Sequence, residues 1–230
     1  MKTWIGSWAA AGLVAAGLGF AGIAQASLVQ IDYTGSVQSL TTFGDPGSTL
    51  LEGVIALGTP VTGRVRYSMN PNVSSSNSAF VAYDLALEFF ELRVGAYTAT
   101  ASSGLIYVYN NYQSHDAVYF NSEQGITGDS ISGVPPVRLQ FSLLSNQLTD
   151  LLGRVIPTVA NISALWDSNI ADGNTNFLVW GVGHTARYSL TSVNAKEVVV
   201  PEPTVISLLA LGLLGVGLTR RRRVMVPSGA

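Results

Sequence analysis

Short stretches in which apolar and polar side chains alternate are the feature that most constrains how this 230-residue chain folds. In the stretch 61–68, the odd positions hold Val, Gly, Val and Tyr, and the even positions hold Thr, Arg, Arg and Ser. Leu139, Phe141 and Leu143 alternate with polar residues in the same way. Successive side chains of a strand point to opposite faces of a sheet, so this period predicts antiparallel strands that are buried on one face.

Seven further stretches have the composition of strands and are separated by turn-forming residues. They are 28–33, 85–94, 97–101, 105–109, 117–120, 177–182 and 187–193. Only 147–153 suggests a helical turn, and the serine-rich 74–78 suggests a loop. The pattern predicts an all-β fold, a single antiparallel β-sandwich of jelly-roll type over residues 27–197.

Residues 1–26 have the three parts of a secretory signal peptide. Lys2 gives a positive start, residues 8–22 form an uncharged run, and Ala24 and Ala26 form the small-x-small pattern that signal peptidase cleaves. We expect cleavage after Ala26. The alternative is an uncleaved anchor, although the apolar run is shorter than the ~20 residues that span a bilayer comfortably. Both interpretations place the middle of the chain across the membrane from the cytoplasm.

A second apolar segment lies near the other end of the chain. Residues 204–219 carry no charge, and as a helix they would rise about 24 Å, slightly less than a ~30 Å hydrocarbon core. The residues that follow are Arg220, Arg221, Arg222 and Arg223. Such a basic cluster stays on the cytoplasmic side. We therefore predict a transmembrane helix over 204–219 and a basic cytoplasmic tail over 220–230, which again places residues 27–197 outside.

The segment 198–203 precedes this helix and reads Val-Val-Val-Pro-Glu-Pro. Proline cannot join a helix interior, so we expect an extended linker. Val-Pro-Glu-Pro, a short Leu/Gly-rich helix and an arginine cluster, in this order, resemble the PEP-CTERM sorting signal of Gram-negative bacteria. The resemblance applies to Pro201, Glu202, Pro203 and the four arginines. Seven residues, 224–230, follow the arginines, where tails of this family usually stop sooner.

The resemblance implies recognition and cutting of the tail by exosortase, a polytopic membrane enzyme, and an association with exopolysaccharide and biofilm. We therefore expect a non-enzymatic protein that crosses the inner membrane, is held there transiently, and ends at the cell surface or outside the cell. Its partners would be signal peptidase, an exosortase-like enzyme, the membrane and exopolysaccharide. The alternatives are a plain anchor that is never cut and a carbohydrate-binding module held by such an anchor.

The middle of the chain is mildly acidic and contains no cysteine. Glu202 is the only acidic residue outside 27–200, and Lys2 and the four arginines are the only basic ones there, so 27–200 has a net charge of about −6. Nucleic-acid binding needs clustered Lys and Arg that displace counterions, so we do not expect nucleic acid as a partner. Without cysteine there is no disulfide framework and no thiol chemistry.

The two histidines do not suggest a catalytic site. His115 precedes Asp116, but neighbours in a strand point to opposite faces, so they cannot form a base with its orienting carboxylate. We interpret His115 as a solvated loop residue and His184 as a turn residue.

Ser130 lies in a Gly-Asp-Ser sequence similar to the nucleophile block of GDSL-type hydrolases. That family needs an aspartate three residues before a histidine, and position 181, three before His184, is glycine. We therefore interpret Ser130 as a turn residue and expect neither an enzyme nor a cofactor.

Asp167, Asn169 and Asp172 lie in the most oxygen-rich segment of the chain and are weak candidates for a calcium site. The spacing departs from an EF-hand loop, because an aspartate holds position 6, where glycine is needed, and no glutamate follows at position 12. Asx turns in a hairpin connection explain the same residues, and we predict no metal.

An aromatic cluster is the only sequence feature that suggests a carbohydrate ligand. It consists of Tyr107, Tyr109, Tyr112 and Tyr119, with Asn110 and Asn111 between them. Aromatic rings stack on the C–H faces of sugars, and amides both donate to and accept from hydroxyls. The alternative is that these residues simply cover a sheet face, because aromatic residues have high strand propensity.

Overall fold

A computed structural model describes residues 25–42, 50–84, 86–112, 115–147, 151, 153–169 and 176–201. Ser27–Val198 forms one compact unit. Several sequence predictions fall outside the described residues. They are the signal peptide as far as Ala24, the metal candidate Asp172, the processing residues Glu202 and Pro203, and the tail with Arg220, Arg221, Arg222 and Arg223.

The described residues form twelve strands and one helix. In chain order they are β1 (Gln25–Thr42), β2 (Pro60–Ser68), β3 (Asn72–Ser76), β4 (Phe80–Asp84), β5 (Leu87–Val94), β6 (Tyr97–Ala101), β7 (Leu105–Tyr112), β8 (His115–Ser122), β9 (Ile126–Gly128), β10 (Pro136–Ser145), α1 (Val159–Asp167), β11 (Phe177–Trp180) and β12 (His184–Pro201).

The strands make one hydrogen-bonded sheet in the order β3-β4-β7-β8-β10-β11-β12-β1-β2-β5-β6-β9. The neighbours whose register is resolved, such as β7 with β8 and β1 with β2, are antiparallel. The two longest strands, β1 and β12, lie side by side in the middle of this order. The prediction of an all-β, antiparallel fold is confirmed.

Aromatic rings connect strands that are not neighbours in the sheet. Tyr33 of β1 stacks on Phe141 of β10 with ring centroids 4.3 Å apart, and Tyr67 of β2 lies 5.3 Å from Phe120 of β8. The sheet is therefore curved enough to bring side chains of non-neighbouring strands into contact. Burying aromatic side chains of this size contributes strongly to a core.

The predicted alternation is confirmed in β2 and only partly in β10, where Ser142, expected on the polar face, is fully buried as well. In β2, Val61, Val65 and Tyr67 are buried, whereas Arg64 and Arg66 keep part of their surface exposed. In β10, the predicted inner residues Leu139, Phe141 and Leu143 are all fully buried.

Three strands have no counterpart in the sequence prediction. Ser74–Ser76, expected in a loop, belong to β3, and neither β4 nor β9 was predicted. Every residue of β3 is exposed, because it is the last strand at one edge of the sheet. A strand without a buried face has no alternation to detect.

The predicted helical turn at 147–153 lies mostly outside the described residues, and the three that are described, 147, 151 and 153, are not in a helix. The helix of the described structure is α1. Thr158 and Asn161 form a capping box at its start, since the Thr158 side chain accepts from the Asn161 amide and the Asn161 side chain accepts from the Thr158 amide. Ile162 and Leu165 anchor the helix in the core. Within the described part of the chain, no helix is long and apolar enough to span a membrane.

Candidate functional site

The predicted tyrosines lie on the outer face of one half of the sheet. In β7, Ile106 and Val108 are fully buried, whereas the alternate residues Tyr107 and Tyr109 remain partly exposed. Successive residues of a strand face opposite ways, so both tyrosines point away from the core. Tyr107 lies opposite Tyr119 of β8, which brings the third predicted ring to the same face.

A fourth ring, Phe80 of β4, completes the cluster and was missed by the sequence analysis. Phe80 lies opposite Tyr109 in the register of β4 and β7, and its ring centroid is 5.3 Å from that of Tyr109 and 5.8 Å from that of Tyr107. Tyr109 meets Tyr119 edge to face at 5.4 Å. We call Phe80, Tyr107, Tyr109 and Tyr119 the aromatic face. These contacts hold the four rings in fixed relative positions.

The other members of the predicted cluster lie at the end of β7. Tyr112 pairs with His115 across the turn. Asn111 is exposed and has a φ of 56°, a left-handed conformation that asparagine tolerates. The side-chain oxygen of Asn110 is buried and has no hydrogen-bond partner within the described structure. The structure therefore brings three of the four predicted tyrosines into one surface with Phe80 and leaves the asparagines at its border.

One depression adjoins the aromatic face through Tyr107, and a second, larger one shares Glu123 with it. The smaller, of about 170 Å³, has Tyr107, Asn121 and Asp84 in its wall. The larger, of about 510 Å³, is an open groove over β10, β11 and β12. We call it the arginine groove. Its walls include Arg138, Phe177, Thr185 and Arg187.

The arginine groove contains two arginines and one carboxylate, and that carboxylate is paired with only one of the arginines. Arg138 forms an ion pair with Glu123 and places its guanidinium 5.8 Å from the ring centroid of Phe177. Phe177 lies opposite Arg187 of β12 in the strand register, so both side chains are on the same face of the sheet. Arg187 is exposed, and no ion pair to it is found in the part of the chain that the structure describes. The groove therefore has a net positive lining.

The outer face of the other half of the sheet carries a paired charge network instead. Asp32 of β1 forms ion pairs with Arg64 at 2.6 Å and Lys196 at 3.2 Å. Desolvation raises the pKa of the Asp32 carboxyl, but hydrogen bonds from Arg64, Gln30 and Lys196 outweigh it and leave this pKa below its ordinary value. Glu91 of β5 lies opposite Arg64 and adds a second carboxylate, so two carboxylates face two cations and we interpret this network as structural.

His115 and Asp116 lie in β8, so the expectation of a loop histidine was wrong. The argument that they face opposite ways agrees with their burial, since Asp116 is fully buried and His115 only partly. The two carboxylate oxygens of Asp116 accept the backbone amides of Asn111 and Leu151, each at 2.8 Å. This carboxylate joins the end of β7, at Asn111, to the chain at Leu151. His184 is the first residue of β12, directly after the turn at 181–183.

The Gly-Asp-Ser sequence follows the edge strand β9. Asp129 accepts the Thr98 amide at 2.8 Å through its carboxylate and the Trp180 indole N–H at 3.3 Å through its carbonyl. Ser130 follows and is exposed. These bonds extend the pairing of β6 and β9 and give Asp129 a structural role.

The metal candidates are placed differently from one another. Asp167 is the last residue of α1 and is exposed, whereas Asn169 forms an isolated bridge with Ser145 of β10. Asp167 and Asn169 therefore end a helix rather than lying in the hairpin turn that Asx geometry suggested. No group of three His, Cys, Asp or Glu residues suited to a metal occurs among the described residues.

Two of the predicted processing residues lie within the described structure. Ala26 belongs to β1, and Pro201 is the last residue of β12, so the strand continues through 198–200 into the predicted linker. Comparisons of the chain with protein families, with curated proteins and with solved structures give no match. The fold and the outer-face geometry therefore define an all-β protein with an aromatic surface beside a cationic groove.

Proposed function

We propose that this chain is an exported, non-enzymatic protein of the cell surface or extracellular matrix, sorted through its C-terminal segment and cut near Pro201, Glu202 and Pro203 by an exosortase-like enzyme. The observation that carries the proposal is the order of the tail: Val-Pro-Glu-Pro, an uncharged segment over 204–219, and the arginine cluster. Association with exopolysaccharide or biofilm belongs to the same proposal.

The end of β12 supports this assignment. The strand reaches Pro201, so the first residue of the Pro-Glu-Pro motif is already in extended backbone. Proteases bind substrates as extended chains, with main-chain hydrogen bonds to the substrate backbone. In the sequence, the proline at 203 disfavours helical backbone at the residue before it, so we expect Glu202 to be extended as well. Glu202 is the acid that we propose the enzyme recognises.

We also propose that the sheet is a β-sandwich of jelly-roll type. The ring contacts between Tyr33 and Phe141 and between Tyr67 and Phe120 support two packed layers, because each contact joins strands that are distant in the sheet order. The hydrogen bonding from β11 through β12 to β1 is continuous, so the sheet would bend at these strands to pass from one layer to the other.

The test of sorting is the intact mass of the mature protein in envelope and culture-medium fractions. The parent chain is compared with a variant in which Pro201, Glu202 and Pro203 are all alanine. Glu197→Ala is the matched control, because Glu197 is another acid in β12 only five residues before Glu202. We expect tail loss near residue 201 in the parent and the control but not in the triple variant. An intact tail in all three would leave a plain anchored protein and refute the proposal.

A second candidate function, carbohydrate binding, is favoured by the aromatic face. Its four rings are held by mutual contacts on the outside of a sheet, where they are partly exposed. Rigid exposed rings present C–H-stacking surfaces with little entropy to lose on binding. Glycan-array binding should disappear in Tyr107→Ala and Tyr109→Ala. Phe89→Ala is the matched control, because Phe89 is a partly exposed ring on the other half of the sheet. Equal loss in the control, or no binding by the parent, would refute this candidate.

A further inference from the structure

The aromatic face and the arginine groove belong to the same outer surface. Asn121 lies opposite Gln140, Gln140 opposite Phe177, and Phe177 opposite Arg187, so this row runs across β8, β10, β11 and β12. Tyr107 and Tyr119 lie in the adjacent row on β7 and β8. Neighbouring strands are about 4.8 Å apart, so the distance from β7 to β12 is roughly 19 Å.

We propose that this surface binds an acidic polysaccharide, one whose sugars carry carboxylates, running across the strands from the aromatic face to the arginine groove. The proposal rests on the carbohydrate-binding candidate above and adds the charge of the ligand and its direction. Tyr107 and Tyr109 stack on sugar rings at one end. Arg187 binds a sugar carboxylate at the other end.

The argument for a carboxylate starts from the unpaired charge in the groove. The lining contains Arg138 and Arg187 against one carboxylate, that of Glu123. Glu123 already pairs with Arg138, which leaves the exposed Arg187 as the group available to an anion. A guanidinium presents a planar fork of donors that matches a carboxylate bidentately. The Phe177 ring beside it offers a stacking surface for the sugar that carries the acid.

The same charges disfavour a densely charged polyanion. Residues 27–200 have a net charge of about −6, so a polyphosphate or nucleic acid would be repelled over most of the surface. Two arginines suit a polymer with sparse negative charge that also offers apolar C–H faces. A polyuronate meets both requirements, whereas a polyphosphate has no such face for the aromatic rings.

The test measures binding of the full-length chain in non-ionic detergent by isothermal titration calorimetry. The probes are polygalacturonate, its fully methyl-esterified form, which has the same backbone without the charge, and polyphosphate. Arg187→Gln removes the proposed carboxylate contact, and Tyr109→Ala removes a stacking ring. Arg93→Gln is the matched control, because Arg93 is an exposed arginine on β5 in the other half of the sheet.

We expect the parent to bind polygalacturonate more tightly than the esterified polymer. Arg187→Gln should weaken the binding of polygalacturonate about fivefold, as for the loss of a solvent-exposed ion pair, and leave that of the esterified polymer unchanged. Tyr109→Ala should weaken both about tenfold. Arg93→Gln should change neither.

Three results would overturn the proposal. Equal binding of the two uronate polymers, or no effect of Arg187→Gln, refutes the acid preference but leaves glycan binding intact provided that Tyr109→Ala still weakens it. Polyphosphate binding as tight as that of polygalacturonate would show a general anion site. Absence of binding to both uronate polymers refutes this proposal, and the glycan array then decides separately whether the parent binds any sugar. None of these outcomes affects the sorting proposal, which the mass measurement tests.

Discussion

Removing the buried carboxylate of Asp116 is predicted to destabilise the fold strongly. Both oxygens accept backbone amides, from Asn111 and Leu151, at 2.8 Å, and the side chain is fully buried. Hydrogen bonds to a charged group contribute about 1.5–3 kcal/mol each, and an amide left without a partner in the interior adds its own desolvation cost. Asp116→Ala should therefore cost about 3–6 kcal/mol. Asp116→Asn retains one acceptor but turns an NH₂ group towards the second amide, and should cost roughly half as much.

Urea unfolding of the full-length chain in non-ionic detergent, followed by tryptophan fluorescence, measures this loss, because Trp180 is fully buried in the core. At 2–4 °C per kcal/mol, the thermal midpoint of Asp116→Ala should fall by roughly 10 °C. Glu52→Gln is the control, since Glu52 is exposed and its replacement should stay within about 0.5 kcal/mol. An Asp116→Ala variant within about 1 kcal/mol of the parent would refute the reasoning that this carboxylate holds the end of β7 and the chain at Leu151 in place.

Three further substitutions test the packing and the charges. The ring of Tyr33 occupies the space over Gly63, so Gly63→Ala should cost about 1–3 kcal/mol by overpacking, and an unchanged urea midpoint would contradict that contact. Because the pKa of Asp32 is lowered in the fold, its charge stabilises the protein above pH ~4. This contribution is lost as the pH falls through the folded-state pKa. The free energy of unfolding, measured from pH 6 down to pH 2, should therefore decline less in Asp32→Asn than in the parent. Burial raises the pKa of the Tyr67 phenol, so above pH ~10 this group ionises in the unfolded chain but stays neutral in the fold. The free energy of unfolding should therefore fall as the pH rises above ~10, and it should fall less in Tyr67→Phe. The same dependence on pH in both proteins would contradict this role of Tyr67.

The strands that could be predicted from the sequence are those with one buried face. Val61 and Val65 are buried and Arg64 between them is not, and this contrast is written directly in the sequence. Strand β3 could not be found in this way, because it lies at the sheet edge with all five residues exposed. The three-residue β9 is too short for a period to emerge. Helix α1 could have been found, because Thr158 and Asn161 occupy the N-cap and N3 positions of a capping box.

The candidate site was predictable only where its residues are close along the chain. Tyr107 and Tyr109 are two residues apart, and the period of a strand places them on one face. Phe80 joins them through the register of β4 with β7, a pairing that composition does not reveal. The opposition of Phe177 and Arg187 likewise depends on which strands are neighbours. Long-range register was the missing information at each of these positions.

The position of β12 in the sheet has a mechanical consequence. In the sorting proposal the protein is held at Pro201, so tension would enter the C-terminal end of β12, whose neighbours in the sheet are β11 and β1. The pairing with β11 covers only His184–Arg187, at the far end of the strand. Pulling all of β12 away would require both pairings to break, whereas the edge strand β3 is held by β4 alone. A polymer gripped at the aromatic face would load the sheet across β8, β10 and β11 towards the same strand. Under the sorting and glycan-binding proposals, force between the ligand and the membrane tether would therefore pass through interior strands of the sheet, and the edge strands β3 and β9 would lie outside this path.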